Sequence, residues 1–138
     1  MSLQTWKQQF YVEPAREFTH LDNSLSNRIE ATKHSLRKWL GARERWQLKH
    51  NVEFHSARLY DETSDNWFNF NADSCSLCQL VSSNCDKCPL SCETNNCTNS
   101  RTSPYGLAYY EHNPEAMIHA LKTTLRRLIK QQYLLQPR

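Results

Sequence analysis

At 138 residues the chain has the length of a single domain, so we expect one domain with one modest hydrophobic core. Its 38% hydrophobic content is low, but four Trp, six Tyr and five Phe exclude a disordered chain, which holds far fewer aromatic residues. Residues 1–10 lack an apolar run of signal-peptide length, and no later window approaches a membrane span. We therefore expect a soluble, cytoplasmic protein that makes no membrane contact.

The net charge of +3 is unevenly distributed along the chain. Residues 24–50 hold seven Lys or Arg against two Asp or Glu, and residues 101–138 hold six against two. Residues 51–100 reverse the balance, with two basic residues against seven acidic ones. Either a face that binds nucleic acid or basic flanks that dock on the acidic centre would explain this pattern.

Residues 1–22 are predicted to form an N-terminal arm that is irregular or short-helical. Aromatic residues such as Trp6, Phe10 and Phe18 occur there without a clean period, and Pro14 interrupts any longer helix. We expect the arm to pack these aromatic side chains on the body of the protein.

A long amphipathic helix is predicted over residues 24–50. Its apolar positions recur at helical spacing after a cluster of N-cap candidates, and Gly41 is a candidate break. These positions are Leu25, Ile29, Leu36, Trp39, Leu40 and Trp46. The basic residues of this helix are expected on its outer, solvated face.

Residues 51–74 mix aromatic and apolar side chains with Asp, Asn and Ser, which predicts a loop that lays aromatic residues over the core, with a short strand as the alternative. The cysteines follow this loop. A polar connector then leads to the turn signal at Ser103-Pro104-Tyr105-Gly106.

A second long helix is predicted over residues 113–132. Asn113 fits the N-cap, Pro114 the first helical position and Glu115 the first turn, where the helix dipole favours a negative charge. The expected buried stripe is Ile118, Leu121, Leu125, Leu128 and Ile129, with Met117 beside it. The predicted fold is mainly α, with two long helices flanking a small, irregular, zinc-binding cysteine knot.

This cysteine knot, residues 75–97, contains all six cysteines of the chain, in the spacing C-x2-C-x6-C-x2-C-P-x2-C-x4-C. Two C-x2-C pairs are typical of zinc sites, because two intervening residues let both thiolates of a tight turn reach one ion. The simplest ligand set is Cys75, Cys78, Cys85 and Cys88. Cys97 or Cys92 is the alternate for one member of this set, and in a third arrangement all six thiolates share two zinc ions.

Zinc is the predicted cofactor, because disulfides are rare in a reducing compartment. An iron–sulfur cluster is the competing cofactor, since Cys88-Pro89 resembles ferredoxin sequence, although the C-x2-C-x2-C-x3-C-P run is absent. An all-cysteine zinc shell is closed and structural, whereas catalytic zinc keeps a position open for water. The sequence also lacks the metalloprotease H-E-x-x-H signature, so we predict no enzymatic activity and no catalytic residues.

Several short segments within residues 30–128 form a recognisable pattern. They are Ser35-Leu-Arg-Lys-Trp39, Cys75-Ser-Leu-Cys78, Cys85-Asp-Lys-Cys88-Pro, Cys97, Ser103-Pro-Tyr105 and the helix from Ala116 to Leu125. The pattern resembles a set of short cysteine-rich proteins of bacteriophages and bacterial genomes, largely uncharacterised open reading frames. The resemblance implies a phage or mobile-element accessory factor in the bacterial host cell that binds a host or phage protein, for example as an inhibitor of a defence system. Cys92 is additional to this pattern, which promotes Cys97 as the alternate ligand.

A second resemblance concerns Cys75-x2-Cys78-x6-Cys85, which is similar to the first half of the fungal binuclear zinc cluster. The second half departs from that family in its gaps. The loop of residues 79–84 also lacks the basic residues that the family uses on DNA.

Three functions follow from these patterns. The first is a non-enzymatic, zinc-stabilised protein, zinc finger-like in its thiolate ligands, that binds a protein partner. The alternative is a nucleic-acid-binding protein that uses basic helix faces near Trp39 or Trp46. Its candidate contacts are Arg37, Lys38, Arg43, Arg45, Arg126, Arg127 and Lys130. The third is an enzymatic or redox role for a reactive thiol among Cys92 and Cys97.

Overall fold

Helices and one small sheet make up the part of the chain that the computed structural model describes, residues 1–84, 87–90 and 103–135. The helices are α1 (Leu3–Phe10), α2 (Leu25–Leu40), α3 (Glu44–His50), α4 (Ser76–Leu80), α5 (Pro104–Tyr110) and α6 (Glu115–Leu135), with 3₁₀ helices at Ala15–Phe18 and Ala72–Ser74. The strands are β1 (Glu53–His55), β2 (Arg58–Asp61) and β3 (Asn66–Asn69). The predicted mainly helical character is confirmed.

Helix α1 begins the N-terminal arm and ties it to the rest of the chain. The Ser2 hydroxyl accepts a hydrogen bond from the Thr5 N–H, and the Thr5 hydroxyl accepts one from the Ser2 N–H, so a capping box starts the helix. The Trp6 ring is fully buried, and its Nε1 donates to the Gly41 carbonyl oxygen at 2.9 Å. Trp6, Phe10 and Phe18 are buried, and the arm around them combines the short helix α1, a 3₁₀ helix and irregular chain.

The helix predicted over residues 24–50 is interrupted at Gly41, where α2 ends and a turn leads to α3. A Cβ atom at Gly41 would lie 2.5 Å from Cγ of Phe10 and 2.7 Å from Nε1 of Trp6. Real side-chain carbons do not approach other atoms so closely, so only glycine lets α1 pack at this corner. The helix predicted over residues 24–50 is therefore two helices, separated at Gly41, the candidate break.

The segment of residues 51–74, predicted as a loop with a short strand as the alternative, contains a three-stranded antiparallel sheet in the order β1-β2-β3. Phe54, Leu59 and Phe68 are register partners on adjacent strands and form the buried side of the sheet. Each strand has only three or four residues. A period-two pattern of that length is too short to be recognised in the sequence.

The second long helix, predicted over residues 113–132, is observed as α6 with slightly different ends. The Asn113 side chain accepts a hydrogen bond from the Glu115 N–H at 3.0 Å, although the helix begins at Glu115 rather than at Pro114. Ile129, predicted in the buried stripe, is 44% exposed. In the described part of the chain, no helix is both long enough and apolar enough to cross a membrane.

Helix α2 positions the site, since it packs against both α4 and α6. Its buried residues are Ile29, Ala31, Thr32, Ser35, Lys38 and Trp39. They cover more of the helix circumference than a single stripe, which is the consequence of two packing partners.

Candidate metal centre

The first cysteine pair lies at the start of α4. Cys75 is the N-cap residue, and its Sγ accepts a hydrogen bond from the Cys78 N–H at 3.4 Å. The two-residue spacing thus places both cysteines in one turn. The Cys75 sulfur caps α4, and Cys78 lies within α4. Ser76 attaches this turn to α2, because its buried hydroxyl donates to the Ala31 carbonyl oxygen at 2.6 Å.

Cys75, Cys78 and Cys88 line a single cavity of about 310 Å³. Cys88 comes from residues 87–90, a separate stretch of the described chain. The apolar part of the wall consists of Trp39, Phe70, Ala72, Leu77, Leu90, Tyr105 and Met117. Such walls weaken the screening of charge by water, so ionised groups in the cavity interact strongly.

Lys38 lies on the wall of the same cavity and is only 1% exposed. Its Nζ donates to the Ser74 carbonyl oxygen at 2.9 Å and approaches the Ser74 hydroxyl at 3.5 Å. The ammonium also lies 5.8 Å from the ring centroid of Trp39 and 5.2 Å from that of Phe70. The expectation that Lys38 faces solvent is wrong, because α2 is covered on this side as well.

The pKa of the Cys75 thiol is lowered to about 5 from its ordinary value of 9.0. The largest cause is the hydrogen bond with the Cys78 thiol, followed by burial, which opposes it, and by the positive charge of Lys38. The lowered pKa favours the thiolate form of Cys75, which is the form that binds metal.

The ligand set predicted from the sequence is only partly within the described residues, because Cys85, Cys92 and Cys97 lie outside them. Across residues 1–84, 87–90 and 103–135, no group of three or more His, Cys, Asp or Glu side chains is arranged to hold a metal ion. The three cysteines of the cavity thus share a space without forming a coordination sphere. The zinc site remains a prediction.

Comparison with known proteins assigns this chain to no family. No family model, curated protein or solved structure matches it. Its function is therefore argued from its own residues and their geometry.

The basic residues predicted to contact nucleic acid differ in their surroundings, since some are exposed and others form contacts within the protein. Arg45 is exposed and lies 4.6 Å from the Trp46 ring centroid. Arg43 instead forms a two-point ion pair with Glu115, with Nε–Oε1 and Nη2–Oε2 distances of 2.8 and 3.0 Å.

The remaining candidates are similarly divided between structural contacts and open surface. The Arg37 Nε donates to the Gln9 carbonyl oxygen at 2.7 Å, and an Arg127 Nη donates to the Pro89 carbonyl oxygen at 2.7 Å. Arg126 and Lys130 are exposed on α6.

Sequence reasoning missed the role of Lys38 as part of the cavity wall. A signal for it exists in α2, where Ala31, Ser35 and Lys38 follow one another at helical spacing. Small residues at such positions mark a second face that packs closely, and Lys38 continues that face.

Proposed function

We propose that this protein is a non-enzymatic, zinc-stabilised binding protein that acts on a protein partner. The observation that carries the proposal is the convergence of Cys75, Cys78 and Cys88 on one cavity with apolar walls. Thiolates are preferred zinc ligands, and zinc binding would draw the three sulfurs together. The candidates for the fourth ligand are Cys85, then Cys97 and Cys92.

The proposed metal has a structural role. A shell of four thiolates leaves no coordination position for water or substrate, so it supports a cross-link rather than a catalytic centre. The link would join α4 to the segment of residues 87–90, and through Ser76 to α2. A chain with few apolar residues gains stability from such a link.

The outer face of the sheet is the surface that we propose for the partner. Trp67 is 47% exposed there, with the Tyr60 ring centroid 4.2 Å away and the Arg58 guanidinium 4.4 Å from its ring. Trp, Tyr and Arg are the residue types that most often dominate binding energy at protein interfaces. The contacts among the three hold them in place before binding, which lowers the entropy cost of association.

The charge around this face indicates the chemistry of the partner. Glu53, Glu62 and Asp65 are exposed on the sheet and its turns. A basic segment of a partner protein is therefore the complementary occupant, with its Lys or Arg side chains near the carboxylates and the exposed aromatic rings. The resemblance to phage proteins supports a host protein in this role, for example a component of a defence system.

Metal analysis tests the first half of the proposal. Protein purified without added metal is expected to hold one zinc per chain, with two thiols that titrate before chelation and six after it. Cys75→Ser and Cys88→Ser should lose the zinc. Serine variants of the three candidates for the fourth ligand identify that ligand, with Cys85→Ser expected to lose the zinc and Cys92→Ser to retain it. Protein that takes up no zinc, even when zinc is added under reducing conditions, would remove the proposal.

Affinity capture tests the second half. Immobilised wild-type protein is expected to retain a host protein that Trp67→Ala does not retain and that elutes with salt. Tyr133→Ala is the control, because Tyr133 is 72% exposed and lies far along the chain on α6. A partner retained equally by both variants would place the binding surface elsewhere.

The alternative, nucleic-acid binding, is favoured by a different observation. Both Arg45 and Lys49 approach the Trp46 ring, at 4.6 and 5.3 Å from its centroid, so helix α3 combines positive charge with an aromatic side chain. Titration of labelled single- and double-stranded DNA at several salt concentrations tests this function. Arg45→Ala and Lys49→Ala should each reduce the salt slope by about 1 if they contact phosphates.

A further inference from the structure

Helix α6 continues past the part of it that packs on the body of the protein. Its buried residues end at Leu128, whereas every residue from 129 to 135 is exposed. This α6 end, residues 129–135, carries large apolar or aromatic side chains at Ile129, Tyr133, Leu134 and Leu135. Exposed apolar side chains that are scattered singly need no explanation, but a group of them on one helix end indicates an interaction surface.

The charge beside the α6 end indicates what it would contact. Residues 116–138 contain no Asp or Glu, and Arg126 and Lys130 are exposed on α6. Two α6 ends facing each other would bring like charges together, which disfavours that pairing. The complementary surface therefore combines apolar or aromatic contact area with negative charge.

The outer face of the sheet has this composition. Glu53, Tyr60 and Trp67 are register partners on adjacent strands, so they lie side by side on that face. The Tyr60 hydroxyl donates to Oδ1 of Asp65 at 2.9 Å. The pKa of Tyr60 is raised, mainly by this hydrogen bond, and the negative charges of Asp65 and Glu62 add to the shift. Carboxylates thus border the exposed aromatic rings.

We infer that the α6 end of one copy of this protein docks on the outer face of the sheet of a second copy. Within one copy both surfaces are exposed, so they do not cover each other. In the contact between copies, the apolar side chains of the α6 end meet the Trp67 and Tyr60 rings, and Arg126 and Lys130 lie near the carboxylates. The use of this face rests on the proposed function, which assigns it to a basic segment of a partner.

Sedimentation velocity of the full chain at a series of concentrations tests the inference, because it measures the size of the species in solution. Wild-type protein is expected to shift from monomer to larger species as its concentration rises. Added salt should reverse part of the shift, since exposed charges are screened.

Paired charge reversals identify the two surfaces. One variant combines Arg126→Glu with Lys130→Glu on α6, and the other combines Glu53→Lys with Glu62→Lys on the sheet and its turn. Each variant alone should raise the dissociation constant of self-association at least about tenfold, because like charges then face each other. A mixture of the two variants should associate again, since the acidic α6 end of one matches the basic sheet face of the other.

Matched controls separate this contact from general effects of charge and hydrophobicity. Arg45→Glu with Lys49→Glu makes the same change in net charge on α3 and should leave the association unchanged. Leu134→Ser with Leu135→Ser should weaken it at least about tenfold, as the loss of apolar anchors does at interfaces. Leu48→Ser should not, although Leu48 is 75% exposed and Leu135 is 77% exposed. Circular dichroism checks that the variants are folded.

Wild-type protein that stays monomeric up to about 1 mM overturns the inference. Association that persists in both charge-reversed variants, or a mixture that does not associate, also overturns it, because the copies would then meet through other surfaces. Failure of the proposed function has a different result, in which affinity capture retains no host protein while self-association is unchanged.

Discussion

Two regions of this protein are held together by different means. In the aromatic region, formed by α1 and the sheet, the Trp6 ring lies 5.7 Å from Phe10 and 5.2 Å from Phe68, measured between centroids. In the cysteine region, α4 and residues 87–90 border a cavity of about 310 Å³ that also holds a buried lysine. Packed aromatic side chains fill the first region. The second region instead contains a cavity that thiol groups and the Lys38 side chain line.

The difference explains how a chain with few aliphatic residues folds. Aromatic rings bury large apolar areas per residue, so a few of them fill the aromatic region. The cysteine region instead joins short segments, and α4 itself has five residues, too few for a stable isolated helix. We therefore expect substitutions in the aromatic region to act independently of metal and those in the cysteine region to depend on it.

The largest expected effect is that of Trp6→Ala, which should lower the free energy of unfolding by about 3–5 kcal/mol. The substitution empties the centre of the aromatic region and removes the bond from Nε1 to the Gly41 carbonyl oxygen. Urea unfolding with and without a chelator measures it, and the loss should be the same in both. Trp67→Ala, on the exposed sheet face, is the control and should cost about 1 kcal/mol or less.

A somewhat smaller loss, about 3 kcal/mol, is expected for Gly41→Ala. The added Cβ would overlap Phe10, which would have to move together with the rest of α1. Thermal unfolding measures the effect. Gly41→Ala should destabilise the Phe10→Leu variant less than it destabilises wild type, because the smaller Leu side chain leaves room for the added Cβ. An equal cost in both backgrounds would show that Phe10 is not the obstacle.

Removing the Asp61 carboxylate should cost about 2 kcal/mol at neutral pH, through the loss of hydrogen bonds to a charged group. The pKa of Asp61 is below its ordinary value of 3.8, chiefly because the Leu3 N–H donates to Oδ2 at 2.9 Å. A lowered pKa stabilises the folded state above the ordinary value, and that contribution is lost as the pH falls through the lower, folded value. Urea unfolding from pH 7 downward should show this loss for wild type.

The matched variants for this acid effect are Asp61→Asn and Glu62→Gln. Asp61→Asn should be less stable than wild type at neutral pH and should approach it in strong acid. Glu62 is exposed, so Glu62→Gln should follow the wild-type curve. A constant difference between Asp61→Asn and wild type at every pH would mean that the ionised carboxylate does not tie α1 to the sheet.

The smallest effect is expected for Arg43→Gln, below about 1 kcal/mol. Arg43 links the turn after α2 to the first turn of α6 through Glu115, but both side chains reach solvent. The loss should shrink further in high salt, because exposed ion pairs are screened. Urea unfolding at low and high salt measures the loss of stability. A loss that stays the same in high salt would mean that Arg43 contributes more than this exposed ion pair.

The elements that the sequence predicts well are those with long, capped patterns. Helix α6 shows both features, and the Asn113 side chain accepts a hydrogen bond from the N–H of its first residue, Glu115. The sheet has neither feature, since its first turn uses Ser56 and Ala57, both at positive φ, instead of the Asn-Gly or Asp-Gly that usually marks such a turn. Local sequence alone does not predict that these two residues adopt a left-handed conformation.

The candidate site also has one part that the sequence predicts and one part that it does not. The spacing of Cys75 and Cys78 predicts that their sulfurs share one turn, and the structure has them at the start of α4. Lys38 could not be predicted in the cavity from its own pattern, because its burial depends on α2 having a second packing partner. That information lies in tertiary contacts rather than in the charge and period of one helix.

Hydrogen–deuterium exchange with and without a zinc chelator is the most direct test of the claim that metal holds only the cysteine region. We expect chelation to speed exchange at the amides of α4 and residues 87–90, while those of α1 and the sheet keep their protection. Zinc-binding protein whose exchange is unchanged by chelation, or rises equally in both regions, would contradict this account.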